Sequence, residues 1–222
     1  MQTFLISLAV LVLIGAGAMS LLCIRKIQPG RAGVKTGWGG LQVSFDWMIR
    51  VPLVQTYHIV DISVKKLEIH RKGKDGLVCK DNIRADITVA FYIRVDANEE
   101  SVRRVAQMLT PERVSDIQQL RELFEAKFSE ALKTAGKQME FVQLYEQREQ
   151  FRTNVIGVIG EDLNGYMLDD VAIEYLEQTP LDKLDPNNVL DAEGIKRITD
   201  ITSREQVQSN IFRREAEKQI KS

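Results

Sequence analysis

The chain has 222 residues, 44% of them hydrophobic and 27% charged, with a formal net charge of −1 and two cysteines. That length suits one or two small domains. Cys23 and Cys79 build neither a disulfide framework nor a metal site, and the near-neutral balance makes no charge-based case for a nucleic-acid partner.

Phe4 to Ile24 is an uncharged run of 21 residues holding twelve Leu, Ile, Val or Phe side chains, among them Phe4, Leu11, Leu13, Leu22 and Ile24. As a helix it is roughly 31 Å long, which matches a bilayer's hydrocarbon core, and its apolar side chains favour insertion by roughly 4 to 7 kcal/mol. A cleaved signal peptide needs a basic start and a shorter core; Ala16-Gly17-Ala18 resembles a cleavage site, but only Met1, Gln2 and Thr3 precede the run. The expectation is a single transmembrane anchor. Ala16 and Ser20 give it a small-residue face for packing, and Cys23 stands at its edge, where acylation occurs.

Arg25 and Lys26 follow directly, with Arg31 and Lys35 close behind, while the amino-terminal tail carries no basic side chain. The positive-inside rule therefore puts the bulk of the chain in the cytoplasm and the short tail outside, in a single-pass cell (inner) membrane protein. From Arg25 to Asp75 there are 10 basic and 4 acidic side chains, so residues 76–222 carry −7. A basic membrane-proximal part is attracted to anionic lipid by about 1 kcal/mol per Lys or Arg.

Residues 27–40 read as a connector with a short strand at Val34–Thr36 and a turn through Gly37, Gly39 and Gly40, without the pattern of a phosphate loop. Alternation from Leu41 to Val51 predicts one strand, broken at Pro52, with Trp38 and Trp47 packed in the core or else in the headgroup layer. Ile62 to His70 predicts another. A turn through Asp75-Gly76 leads to a return strand at Leu77–Cys79. From Ile83 to Val95 the alternation is cleanest and predicts a half-buried antiparallel strand. His58 and His70 stand isolated and read as structural or surface histidines.

The period then becomes helical. Asn98 to Leu109 predicts a short helix. Thr110-Pro111-Glu112 reads as the start of a longer one that ends at Gly136, with Ile117, Leu120, Leu123, Phe124 and Phe128 along one stripe. A second long helix is predicted from Met139 to Asn164, with Tyr145, Phe151 and Val155 inward and Gly157 and Gly160 packed closely on a sheet. Met167 to Leu176 returns to strand alternation, with Val171, Ile173 and Tyr175 on one face. Pro180 and Pro186 frame a loop. From Asp191 a charged helix carries Ile195, Ile198, Val207 and Ile211, too thin an apolar stripe to stand without a partner helix. The fold class is α+β.

Gly73-Lys74-Asp75-Gly76-Leu77-Val78-Cys79-Lys80-Asp81-Asn82-Ile83, running to Phe91-Tyr92-Ile93-Arg94-Val95, resembles the first SPFH segment of flotillins. Asp185-Pro186-Asn187-Asn188 followed by Asp191-Ala192-Glu193-Gly194 is similar to the loop and helix start after that domain in bacterial flotillin-like proteins of the YqiK kind. The resemblance implies a transmembrane anchor (1–25), an SPFH (band 7) domain in two subdomains (26–96 and 97–178), a linker (179–190) and the start of a coiled coil (191–222). It implies membrane attachment, assembly of many copies into rings or cages, and a scaffold that organises membrane microdomains around protein cargo. An adaptor enclosing a membrane protease, as in HflK/HflC relatives, is the other reading. No nucleophile elbow, HExxH or cofactor loop is present, so no enzyme, catalytic residue, cofactor or metal is expected.

Overall fold

The computed structural model describes residues 24–37, 39–49, 54–110, 113–160 and 163–221. The span predicted from Phe4 lies outside them up to Cys23, so Phe4, Leu11, Leu13 and Leu22 have no described position. Among the described residues no helix is long and apolar enough to cross a membrane. Ile24 and Arg25, predicted to end the anchor, stand instead in a short strand, β1 (Ile24–Lys26).

Two compact units are made from interleaved pieces of chain. One takes Met1–Leu67, Tyr92–Leu123 and Asp162–Asp169; the other takes Glu68–Phe91, Phe124–Glu161 and Asp170–Ser222. The subdomains expected at 26–96 and 97–178 follow chain order, and the observed division does not. The reason is that single long elements supply residues to both units.

In the first unit β2 (Arg31–Gly37) lies between β3 (Gln42–Ser44) and β5 (Gln55–Asp61), antiparallel to both. β2, seven residues against the three predicted, extends back through the consecutively buried Ala32 and Gly33; a Cβ on Gly33 would lie 2.7 Å from Ile27 Cδ1. β4 (Trp47–Ile49) pairs with β1. The single strand expected over 41–51 is thus two strands with a bend at Phe45 and Asp46, and the bend moves the inward phase by one residue. Val43 is buried in β3, but in β4 Met48 is buried while Trp47 and Ile49 face out. A one-residue shift exchanges the two faces of a strand.

β6 (Lys65–Arg71), β7 (Leu77–Val78), β8 (Arg84–Val95) and β9 (Tyr166–Gln178) form the larger sheet, in order β6-β8-β7 with β9 pairing β8. β6 starts at Lys65 rather than Ile62, and Val64 is exposed. β8 is buried on both faces from Ala85 to Phe91, not on one. Its polar residues are matched from inside: Asp86 accepts from Gly73 N–H (2.8 Å) and the Thr179 hydroxyl (2.6 Å), and Thr88 Oγ1 lies 3.2 Å from His70 Nδ1.

Helix α1 (Glu99–Met108) forms where the sequence predicts a short helix, and Asn98 and Leu109 prove to be its caps; the Asn98 side chain accepts from Ser101 N–H. The next helix, α2 (Ile117–Gly136), starts later than Thr110. Thr110 closes a separate turn by accepting from Arg113 N–H and Val114 N–H, and Asp116 then accepts from Gln118 N–H. Leu120, Phe124 and Phe128 are buried, whereas Ile117 and Leu123 are exposed. The helix predicted over 139–164 is two helices, α3 (Phe141–Glu146) and α4 (Arg148–Ile159), parted at Gln147. Gly160 is not interior: it caps α4 with φ +78, and neither it nor Gly157 has any atom within 4 Å of where a Cβ would be. Close packing on a sheet is therefore not the role of either glycine. α5 (Val189–Lys221) is 33 residues long.

Phe128 is fully buried and stacks on Phe91 with ring centroids 4.3 Å apart. Phe128→Ala is expected to lower unfolding stability by about 3–5 kcal/mol, through lost burial and the cavity left behind. Urea titration followed by circular dichroism measures it.

Candidate functional site

Two places carry side chains whose exposure or pairing exceeds what folding requires. The first is the β1–β4 ribbon. Its register sets Lys26 opposite Trp47, Arg25 opposite Met48 and Ile24 opposite Ile49. The ribbon is held by the Ser44 hydroxyl donating to Trp47 O (2.8 Å) and by Ile27 N–H donating to Asp46 O (2.9 Å). Trp47 is 58% exposed and Ile49 47% exposed, with Val54, Ile59 and Val64 also exposed in the same unit. A Trp and an Ile turned outward beside Lys26 form an amphipathic edge, the composition that suits the boundary between headgroups and acyl chains.

Of the basic residues singled out from the sequence, Arg25, Lys26 and Arg31 are exposed. Lys35 is half-buried, and its ammonium lies 3.4 Å from Ile49 O. Arg31 stands opposite Asp61 in the β2–β5 register. Burial alone raises the Asp61 carboxyl, but hydrogen bonds from Lys65 (2.6 Å) and Ser63 N–H (2.9 Å) outweigh it and bring the pKa down to about 2.

The second place is the root of α5. Arg84 reaches the Asp191 carboxylate with Nε (3.1 Å) and Nη2 (2.5 Å), and donates through Nη1 to Lys74 O (2.8 Å) and Gly76 O (3.2 Å). Both side chains are nearly enclosed, at 11% and 7% exposure. Asp185 N–H donates to the other Asp191 oxygen (3.1 Å). Burial pushes the Asp191 carboxyl up, and Arg84 together with Asp185 N–H more than reverses this, leaving it below its ordinary value. Two residues on, Glu193 accepts from the Asn82 amide, and a Cβ on Gly194 would lie 2.5 Å from Asn82 O. Only glycine lets helix and loop approach this closely.

Ile198 is 5% exposed and packs with Ile83 and Leu184, flanked by Phe141 and Ile195. The sequence reading placed Ile195 and Ile198 in an oligomerisation stripe; the structure gives them to the chain's own core, because Asp191 clamps their face of α5 inward. Val207 and Ile211 are 59% and 50% exposed, so the expected stripe is split between a docked root and a free shaft. Sequence reasoning missed the Arg84–Asp191 pair. An acid in a helix's first turn reads as a dipole partner, and nothing local marks a cation 107 residues away.

Among the described residues no group of three or more His, Cys, Asp or Glu could hold a metal ion. Cys79 is buried and its thiol is pushed up to about 12, chiefly by burial, which leaves it unreactive.

Residues 25–222 match the family model described as "SPFH domain / Band 7 family". The chain is similar to the "Flotillin family inner membrane protein YqiK" of Escherichia coli (strain K12), with 33% identity over 220 residues, 98% of this chain and 39% of that protein. It is also similar to the "Flotillin family inner membrane protein sll1021" of Synechocystis sp., with 26% identity over 152 residues, 67% of this chain and 22% of that protein. The chain thus spans well under half the length of either relative.

Asp191 has a folded-state pKa below its unfolded one, so its contribution is complete above the ordinary carboxylate value of about 3.9 and is lost as pH falls through the folded value. Asp191→Asn leaves Arg84 enclosed without its counter-charge and is expected to cost about 3 kcal/mol. In the variant, hydrogen exchange of the 189–199 amides rises at pH 7 and the acid-limb slope of stability becomes shallower. Unchanged exchange there would mean the pair does not hold the helix root.

Proposed function

Because the chain belongs to the SPFH domain/Band 7 family, we propose that it is a membrane-anchored flotillin-like scaffold whose copies assemble into large rings or cages and organise membrane microdomains. The run Phe4–Cys23 crosses the inner membrane once, with the short tail outside and the remaining chain cytoplasmic. The names of both relatives, flotillin-family inner membrane proteins, support the membrane location. The partners are the bilayer, with a preference for anionic lipid, further copies of the same chain, and membrane-protein cargo. No catalysis is assigned.

The observation that carries this reading is the exposed pair Trp47 and Ile49 on a ribbon that begins directly where the apolar run ends. An anchor followed at once by an amphipathic edge seats that edge at the bilayer surface. Moving both side chains out of water favours the seated state by on the order of 2–4 kcal/mol, and Arg25, Lys26 and Arg31 add about 1 kcal/mol each on an anionic surface. Many weak lateral contacts between seated copies then act together through high effective concentration.

The full chain carrying Trp38→Phe leaves Trp47 as the single fluorophore of its type. In vesicles of phosphatidylglycerol and phosphatidylethanolamine, Trp47 emission is expected to be quenched by brominated acyl chains, and particles released by detergent are expected to contain many copies. A chain that leaves membranes in carbonate and sediments as a monomer overturns the proposal; unquenched Trp47 overturns the seating of the ribbon.

A further inference from the structure

Helix α3 and the end of β9 bound a groove of about 400 Å³ in the second unit. Leu176 is buried at its floor and Phe141 lines it half-buried, while Val142 and Tyr145 stand 52% and 54% exposed on its wall. Glu146 and Glu177 flank these apolar side chains. Glu177 accepts the Tyr175 hydroxyl (2.7 Å), which holds its carboxylate at the rim. Tyr145, predicted to face inward, instead offers its ring to cations, and Arg148 already lies 5.3 Å from its centroid. Arg148 covers the Tyr145 side, so the groove suits two apolar side chains followed by positive charge that reaches Glu146 and Glu177.

The described chain carries such a ligand. On the free shaft of α5, Arg204, Val207, Ile211, Arg214 and Lys218 recur at steps of three and four and therefore share one face. Val207 and Ile211 are exposed; Arg204 one turn before them is ion-paired with Asp200 (3.1 Å), and the cations Arg214 and Lys218 follow. Two such stripes side by side in parallel register would set Arg214 and Lys218 against their own copies. Those like charges disfavour that pairing. The acidic rim removes the conflict.

The ligand cannot come from the same copy. Ile198 is packed at the helix root beside Phe141, which also lines the groove. Ile211 lies about 20 Å further along one unbroken helix, so it cannot fold back. We infer that the Val207–Ile211 face of α5 docks into the Val142–Tyr145–Leu176 groove of a second copy. This rests on the self-assembly reading above and names its contact. The contact is heterologous, groove to helix, so each copy offers one of each and the chain of contacts continues until it closes.

The experiment uses the full chain in the membranes of the expressing cell, in a Cys23→Ser background so that buried Cys79 is the remaining native thiol. Val142→Cys with Ile211→Cys on one chain is expected to give a disulfide ladder of dimers, trimers and higher species on mild oxidation. Neither single variant gives one, and the two single variants expressed together stop at dimers. If a bifunctional amine reagent builds a ladder but the cysteine pair does not, the groove is refuted and assembly stands. Dimers formed by Ile211→Cys alone refute it too, because the shafts then meet each other. If neither reagent links copies, the assembly reading falls and this contact falls with it.

Discussion

Strand β8 is enclosed on both faces over most of its length, and that enclosure governs what surrounds it. A strand so buried cannot leave polar side chains to water, so each one must find a partner brought from elsewhere in the sequence. Asp86 is met by Thr179 and the Gly73 amide, Thr88 by His70, and Arg84 by Asp191. Each of these bonds fixes a segment remote in sequence. The third fixes the direction in which a helix of 33 residues leaves the body.

That helix changes surroundings along its length. Its first turns complete a core with Ile83, Leu184 and Phe141, so they contribute to the stability of their own copy. Beyond Ile201 every described side chain is exposed. A shaft this long with so few apolar residues gains little stability alone, and its rigidity comes from the clamped root. Burial is therefore confined to the first stretch of one element, and substitutions in the buried root and in the exposed shaft have different consequences for folding stability.

The β1–β4 ribbon shows a similar economy of means. The bend at Phe45 and Asp46 changes the phase of alternation, so Met48 enters the core and Trp47 turns outward. Without the bend the same residues read as an ordinary half-buried strand. One backbone irregularity converts core-forming side chains into an outward-facing edge beside Arg25 and Lys26.

Much was legible in the residues alone. The alternation of β8, the short helix α1 and the helix from about Asp191 follow from period and local hydrogen-bond chemistry, which are short-range. The SPFH resemblance rests on the same local text. What only the tertiary structure decided was which face of an amphipathic element is claimed by the chain's own core. Ile198 inward and Ile211 outward, Tyr145 exposed and Met48 buried all depend on contacts between segments far apart in sequence. Periodicity places side chains on a face, but burial is decided by what packs against that face, and the pairing of Arg84 with Asp191 exists only once the chain has folded.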